Sequence, residues 1–178
     1  MARLFFAIRP PAATAAALRH WAGLVQREAG GRALEAAAIH LTLAFLGEVQ
    51  PERAAAAVAA ARAVHGVPHE LPLEEARYWA RNRIVWVGPR AIPVALGALA
   101  ASLAGALLRE GFVLERRRFA AHVTLLRRVL AECRLPPLPM LAWPVEEFSL
   151  VSSRLAAGGS DYEIVERFAL QGSGASRI

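Results

Sequence analysis

The chain has 178 residues, is 56% hydrophobic, and carries 21 basic against 15 acidic side chains for a formal charge of +6; this excludes an intrinsically disordered chain and suits one medium-sized globular unit, or two small halves sharing a core. Every basic residue is an arginine, whose rigid fork of donors suits phosphate, so a polyanionic partner such as nucleic acid competes with plain surface solubility as the reason for the charge. The lone cysteine, Cys133, leaves no internal disulfide and no thiolate metal cluster, and no apolar run approaches the ~20 residues of a membrane span.

In chain order, Leu4 to Ile8 reads as a buried strand. The opening segment is too short for a secretory signal and is closed by Arg9-Pro10-Pro11, so a cytoplasmic location is expected. Proline is tolerated where a helix begins; from there Leu18, Trp21 and Val25 repeat at helical spacing until Gly30-Gly31. Ala37 to Leu46 reads as the next strand, and Pro51 opens an alanine-rich helix to about Val64. Leu71 to Tyr78 alternates imperfectly as a strand, Trp79 to Asn82 turns, and Ile84 to Val87 is a strand stopped by Gly88-Pro89. Pro93 begins a helix carrying Leu96, Leu99, Leu103 and Leu107, and Gly111 ends it. Strands follow at Phe119 to Leu126, Val145 to Ser152 and Tyr162 to Leu170, with a proline-rich loop over Arg134 to Pro139. Residues 171–178 are expected to be a loose tail. Long helices interleaved with strands and late hairpins indicate an α+β protein and not a doubly wound one. No glycine fingerprint for a dinucleotide and no phosphate loop ending in lysine is present, so no nucleotide cofactor is required.

Two tetrads organise the chain: His40-Leu41-Thr42-Leu43 and His122-Val123-Thr124-Leu125. In each, a His and a Thr stand two residues apart, so alternation along a strand points both to one face and the intervening apolar side chains to the other. Two matching pairs suggest two halves presenting equivalent groups to one cleft. Two histidines facing one cleft can divide proton work, a neutral ring taking a proton from water and a protonated one giving a proton to a leaving oxygen. In-line phosphoryl transfer asks for them on opposite sides of phosphorus. Thr42 and Thr124 can then donate to non-bridging oxygens. Arg127 can supply charge if the strand bends near Leu126, although strict alternation puts it on the opposite face. The competing readings are packing alone, with each Thr chosen for β propensity, and zinc. A two-histidine zinc site needs further ligands; Asp161 is the sole aspartate, and His20, His65 and His69 stand at no compact ligand spacing. No metal is expected, and Cys133 has no His or acidic partner that would make it a nucleophile.

At these tetrads the chain closely resembles the two-histidine phosphoesterase superfamily, specifically the bacterial and archaeal RNA 2′,3′-cyclic phosphodiesterases, historically called 2′-5′ RNA ligases. The flanking text agrees: Leu4 to Ile8 before Pro10-Pro11, Leu43 to Glu48, Gly111-Phe112, Arg127, Phe148 to Ser153, and Gly159 followed by Tyr162. The resemblance covers about residues 2 to 170. It implies a single bilobal domain over 1–178, with two antiparallel β-sheets facing a central, positively charged groove and helices on the outer faces. It further implies that His40 protonates the departing ribose 3′ oxygen, that His122 activates water, and that Thr42, Thr124 and Arg127 hold the phosphate. The product would be a 2′-phosphomonoester, with weak 2′-5′ joining as the reverse geometry and no metal or nucleotide cofactor. The chain departs from the family in having Ala121 where a proline usually precedes the second motif, and Ala38-Ile39 before the first.

The implied partner is RNA bearing a 2′,3′-cyclic phosphate, such as tRNA fragments, with no membrane and no obligate protein partner. Phe6, Phe45 and Tyr162 are candidates to stack on a terminal base; core or groove-wall packing is the alternative for each. Arg77, Arg81, Arg83 and the run Arg116-Arg117-Arg118 are candidates for contacts with backbone phosphates. Two other functions fit the same text: cyclic phosphodiester hydrolysis on a small nucleotide, such as a processed ADP-ribose cyclic phosphate, and RNA binding without catalysis.

Overall fold

In the computed structural model, which describes residues 2–156 and 159–171, the described residues form ten strands and three helices. They run β1 (Ala2–Ile8), α1 (Ala12–Ala29), β2 (Arg32–Ala33), β3 (Leu41–Val49), α2 (Pro51–Arg62), β4 (His69–Glu70), β5 (Glu75–Trp79), β6 (Ile84–Gly88), α3 (Val94–Arg109), β7 (Val123–Arg127), β8 (Pro144–Val145), β9 (Glu147–Ala156) and β10 (Gly159–Ala169). The large sheet has the order β10-β9-β1-β3-β7-β6-β5 with β2 beside β7, and β4 and β8 form a separate pair. Two antiparallel four-strand halves are thus present, as expected, and they meet at one residue pair, Leu41 opposite Val123. The chain is α+β.

Alternation decides which side of the sheet is core. Leu4, Phe6 and Ile8 of β1, Val85 and Val87 of β6, and Phe148 and Leu150 of β9 are buried with Leu18, Trp21 and Val25 of α1 and the leucines of α3. Phe5 and Ala7 turn the other way, against Val151 and Tyr162. All three helices therefore bury residues in one core, on one side of the sheet, and the opposite face is left to build a site. Trp21 also ties down the proline-rich loop, its indole N–H donating to the Pro137 carbonyl at 3.1 Å. Among the described residues no helix is long and apolar enough to cross a membrane.

Several element boundaries differ from those expected. Ala36–Ala38 is a short 3-10 turn and β3 begins only at Leu41, because the carbonyl of Ala38 is turned toward the His40 ring. The strand expected from Leu71 begins at Glu75, and Leu71 instead donates its N–H to the Trp143 carbonyl. The strand expected from Phe119 begins at Val123. Two-residue strands such as β2, β4 and β8 carry no periodic signal to read. Apart from Gln171, the expected loose tail lies outside the described residues.

Candidate active site

The one pair that joins the halves also assembles the site. Antiparallel pairing of Leu41 with Val123 sets His40 across from Thr124 and Thr42 across from His122, all four on the face away from the core. The two histidines are then diagonal neighbours, on the order of 7–8 Å apart by strand geometry. Leu41, Leu43, Val123 and Leu125 are all buried beneath them.

A β-bulge follows the Thr in each copy. Ala7 pairs with Thr42 but Phe6 pairs with Ala44, leaving Leu43 as the extra residue. Trp86 pairs with Thr124 but Val85 pairs with Leu126, leaving Leu125 as the extra one. A bulge lets two consecutive side chains face one way and shifts the alternation beyond it. The third residue after each Thr therefore returns to the groove face: Phe45 in the first half and Arg127 in the second. Arg127, which unbroken alternation would send to the core side, borders a cavity of about 640 Å³ together with Thr42, His122, Thr124, Phe45 and Trp79. The bend that its placement required is this bulge.

Each imidazole is held in the same manner. His40 Nδ1 lies 2.7 Å from the Ala38 carbonyl and His122 Nδ1 lies 2.9 Å from the Ala120 carbonyl. A carbonyl only accepts, so Nδ1–H donates in both and, in the neutral ring, Nε2 carries the lone pair. Aromatic rings wall each station: Phe5 at 4.9 Å and Tyr162 at 5.4 Å from His40, Trp79 at 4.9 Å and Trp86 at 6.3 Å from His122. Burial among them pushes the His40 pKa down to about 4; the Ala38 hydrogen bond opposes this, and the charges of Arg127, Arg9 and His122 add to it. Burial also lowers His122, with Arg117 and Arg127 acting in the same direction and the Ala120 bond against it. Both rings are neutral near pH 7 in the empty groove. An anion bound between them would favour the imidazolium form.

The depressed His40 pKa carries a stability consequence. The unfolded ring binds its proton near pH 6.5 and the folded ring near pH 4, so His40's contribution is complete above the first value and is lost as pH falls toward the second. From about pH 7 to about pH 4 this ring costs the folded state on the order of 3 kcal/mol. Denaturant unfolding at both pH values should show a smaller acid loss for His40→Gln than for the wild type. Equal losses in the two proteins would contradict it.

Not every candidate reaches the groove. Phe6 is 0% exposed and packs on Phe148 and Phe168 at ring distances of 6.1 Å, so it offers no face to a base; its neighbour Phe5 is the β1 aromatic on the site side. Phe45 is 39% exposed. Tyr162 is half-buried against His40 and Phe5. Arg117 and Arg118 border the cavity, and Arg117 also pairs with Glu115. Arg77 is engaged by Glu75 at 2.8 Å, and Arg83 donates to the Val129 carbonyl at 3.0 Å. Phe5, Trp79 and Trp86 were not singled out from sequence; a strand residue two before or after another core-facing or site-facing one is the only signal that could have sorted them.

The family described as LigT-like phosphoesterase matches residues 8–86. An Escherichia coli protein named RNA 2′,3′-cyclic phosphodiesterase is 38% identical over 94% of this chain and 96% of its own length. One from Thermus thermophilus with the same name is 33% identical over 96% of this chain and 91% of its own length. The crystal structure of E. coli LigT complexed with 3′-AMP superposes with a TM-score of 0.89 at 37% identity, covering 95% of this chain and 98% of that one.

Proposed function

This chain belongs to the LigT-like phosphoesterase family, and from that premise we propose that it hydrolyses the 2′,3′-cyclic phosphate ends of RNA to 2′-phosphomonoester ends by paired histidine acid–base catalysis. The observation that carries the reading is the register at Leu41 and Val123, which sets two equally clamped imidazoles on one face with a threonine beside each. His122 Nε2 takes a proton from water as its oxygen attacks phosphorus. The P–O3′ bond breaks opposite to it, and His40 Nε2–H gives its proton to the departing O3′. Thr42, Thr124 and Arg127 donate to the non-bridging oxygens, where charge accumulates as the water oxygen bonds to phosphorus. When an RNA 5′-hydroxyl replaces water, the same displacement leaves a 2′-5′ linkage, the weak joining reaction of this reading.

In this reading the acid, base and anion-binding roles all fall to side chains of the chain, and no step is routed through a metal. RNA is the partner, and the names of the relatives in E. coli and T. thermophilus support that choice. The test offers RNA with a cyclic phosphate end and small cyclic nucleotides side by side in EDTA. Turnover of the RNA, undiminished by the chelator, is expected. Preference for the small nucleotide would reassign the substrate, retention of RNA without turnover would leave a binding protein, and EDTA-sensitive activity restored by zinc would replace the histidine mechanism with metal chemistry.

A further inference from the structure

The two histidines have different neighbours on the strand opposite. Ile8 pairs with Leu41 and Val87 pairs with Val123, so one step further along each ladder Arg9 stands beside His40 and Gly88 beside His122. Residues directly opposite in an antiparallel pair share a face. Arg9 also follows Ala7 by two positions, and Ala7 is turned away from the helix-covered core. The Arg9 guanidinium is close enough for its charge to act on the His40 ring. Its Nη2 donates to the Ala37 carbonyl at 2.8 Å, and among the described residues Arg9 joins no ion pair. An exposed arginine with most of its fork of donors unused thus sits at the His40 end of the site.

The covalent structure of the substrate says what arrives there. In a 2′,3′-cyclic phosphate, O3′ is on C3′, next to C4′, and C4′ carries the 5′ chain. With O3′ toward His40, the rest of the RNA leaves the site past His40, and its first phosphodiester lies one nucleotide back on that side. Arg9 also borders a second cavity of about 510 Å³, walled in part by Pro10, Pro11, Ala36 and Ala37. Glu146 and Glu147 border the same cavity, and Arg167 holds Glu147 at 3.0 Å. A phosphate is therefore drawn to Arg9 and repelled by Glu146, while the proline and alanine walls suit the apolar faces of a nucleoside.

We propose that Arg9 binds the phosphodiester on the 5′ side of the terminal nucleotide, and so makes the enzyme prefer the end of an RNA chain to a free cyclic mononucleotide. A mononucleotide with a 5′-hydroxyl has nothing to offer this arginine. Arg9 is a specificity-determining residue that touches the chain and not the reacting atoms. The inference rests on the hydrolase reading above, which turns O3′ toward His40.

The experiment takes a dinucleotide and a mononucleotide, both ending in 2′,3′-cyclic phosphate and both with a 5′-hydroxyl, and reads the ratio of their kcat/KM values. Wild type should favour the dinucleotide about ten- to a hundredfold, the range that a hydrogen bond to a charged group supplies. In Arg9→Ala that ratio should collapse toward one. Any change in His40 acidity acts on both substrates alike and cancels in the ratio. A dinucleotide whose linkage is a neutral methylphosphonate should lose the same advantage on the wild type, with no change to the protein. A wild-type ratio near one, or full preference for the methylphosphonate, would overturn the proposal and leave the hydrolase reading standing. So would an undiminished ratio in Arg9→Ala, whether the two rates hold or fall together, since Arg9 would then only brace the Ala37 carbonyl. No turnover of either substrate by the wild type would sink the hydrolase reading, and this proposal with it.

Discussion

His40→Ala and His122→Ala should each fold and each lose about 10²–10⁴ of the turnover of cyclic-phosphate RNA, the usual worth of a positioned general acid or base. The loss should sit in kcat as well as kcat/KM, because in the proposed mechanism both groups act on bonds that change only in the transition state. The double variant should be little worse than either single one, since an acid without its base no longer completes the displacement. Folding should survive because each ring caps the core without joining it: the buried side chains beneath are Leu41 and Val123, which neither substitution touches. His40→Ala should even withstand acid better than the wild type, having lost a ring whose pKa is held at about 4 by burial. Melting curves and single-turnover rates on the same preparations decide the matter. Full turnover by either folded single variant would remove the paired mechanism, whatever the other does.

The sequence displayed the chemistry more openly than the geometry. Repeated His-x-Thr tetrads were visible because their spacing of two matches the pleat of a strand, and the three helices were visible because Leu96, Leu99, Leu103 and Leu107 repeat at helical intervals and prolines and glycines bracket each one. The bulges were not. Their trace in the text is a doubled apolar residue after each Thr, Leu43-Ala44 and Leu125-Leu126, which reads as ordinary strand unless the partner's register is known. That register, set by β1 and β6, turns Phe45 and Arg127 back to the groove. Phe5 and Phe6 posed the same difficulty in miniature. They are adjacent, equally aromatic and face opposite ways, so of the two readings open for Phe6, a stack on a base or core packing, it is the core that holds it. Which face is the core depends on where the helices pack, a long-range fact that a five-residue run does not contain.

Gly88→Ala should reduce turnover by about 10²-fold while leaving most of the protein folded. Gly88 ends β6 beside the segment that leads into His122. A Cβ built there would lie 2.6 Å from the Ala121 carbonyl oxygen and 3.2 Å from the six-membered ring of Trp86. The first distance is backbone against a new carbon, and it closes only if the Ala120 to His122 segment moves. That segment holds the carbonyl which fixes His122 Nδ1 at 2.9 Å, and Trp86 is one of the two rings walling the same imidazole. A displacement of about 1 Å at a catalytic group is enough for a 10²-fold loss, whereas forcing one methyl into a packed site costs about 1–3 kcal/mol of stability. Ala121, just before the second motif, places no proline-ring restraint on the backbone of that segment. Gly23→Ala makes the natural control, because its added carbon meets only the tip of Arg19 at 3.6 Å, and within a helix Ala is favoured over Gly by up to about 1 kcal/mol. The expected pattern is a Gly88→Ala enzyme with a rate loss far larger than its drop in melting temperature explains, next to a Gly23→Ala enzyme of normal rate. Should folded Gly88→Ala turn over RNA at the wild-type rate, the approach of β6 to the His122 segment would be packing alone, with no hold on the position of the base.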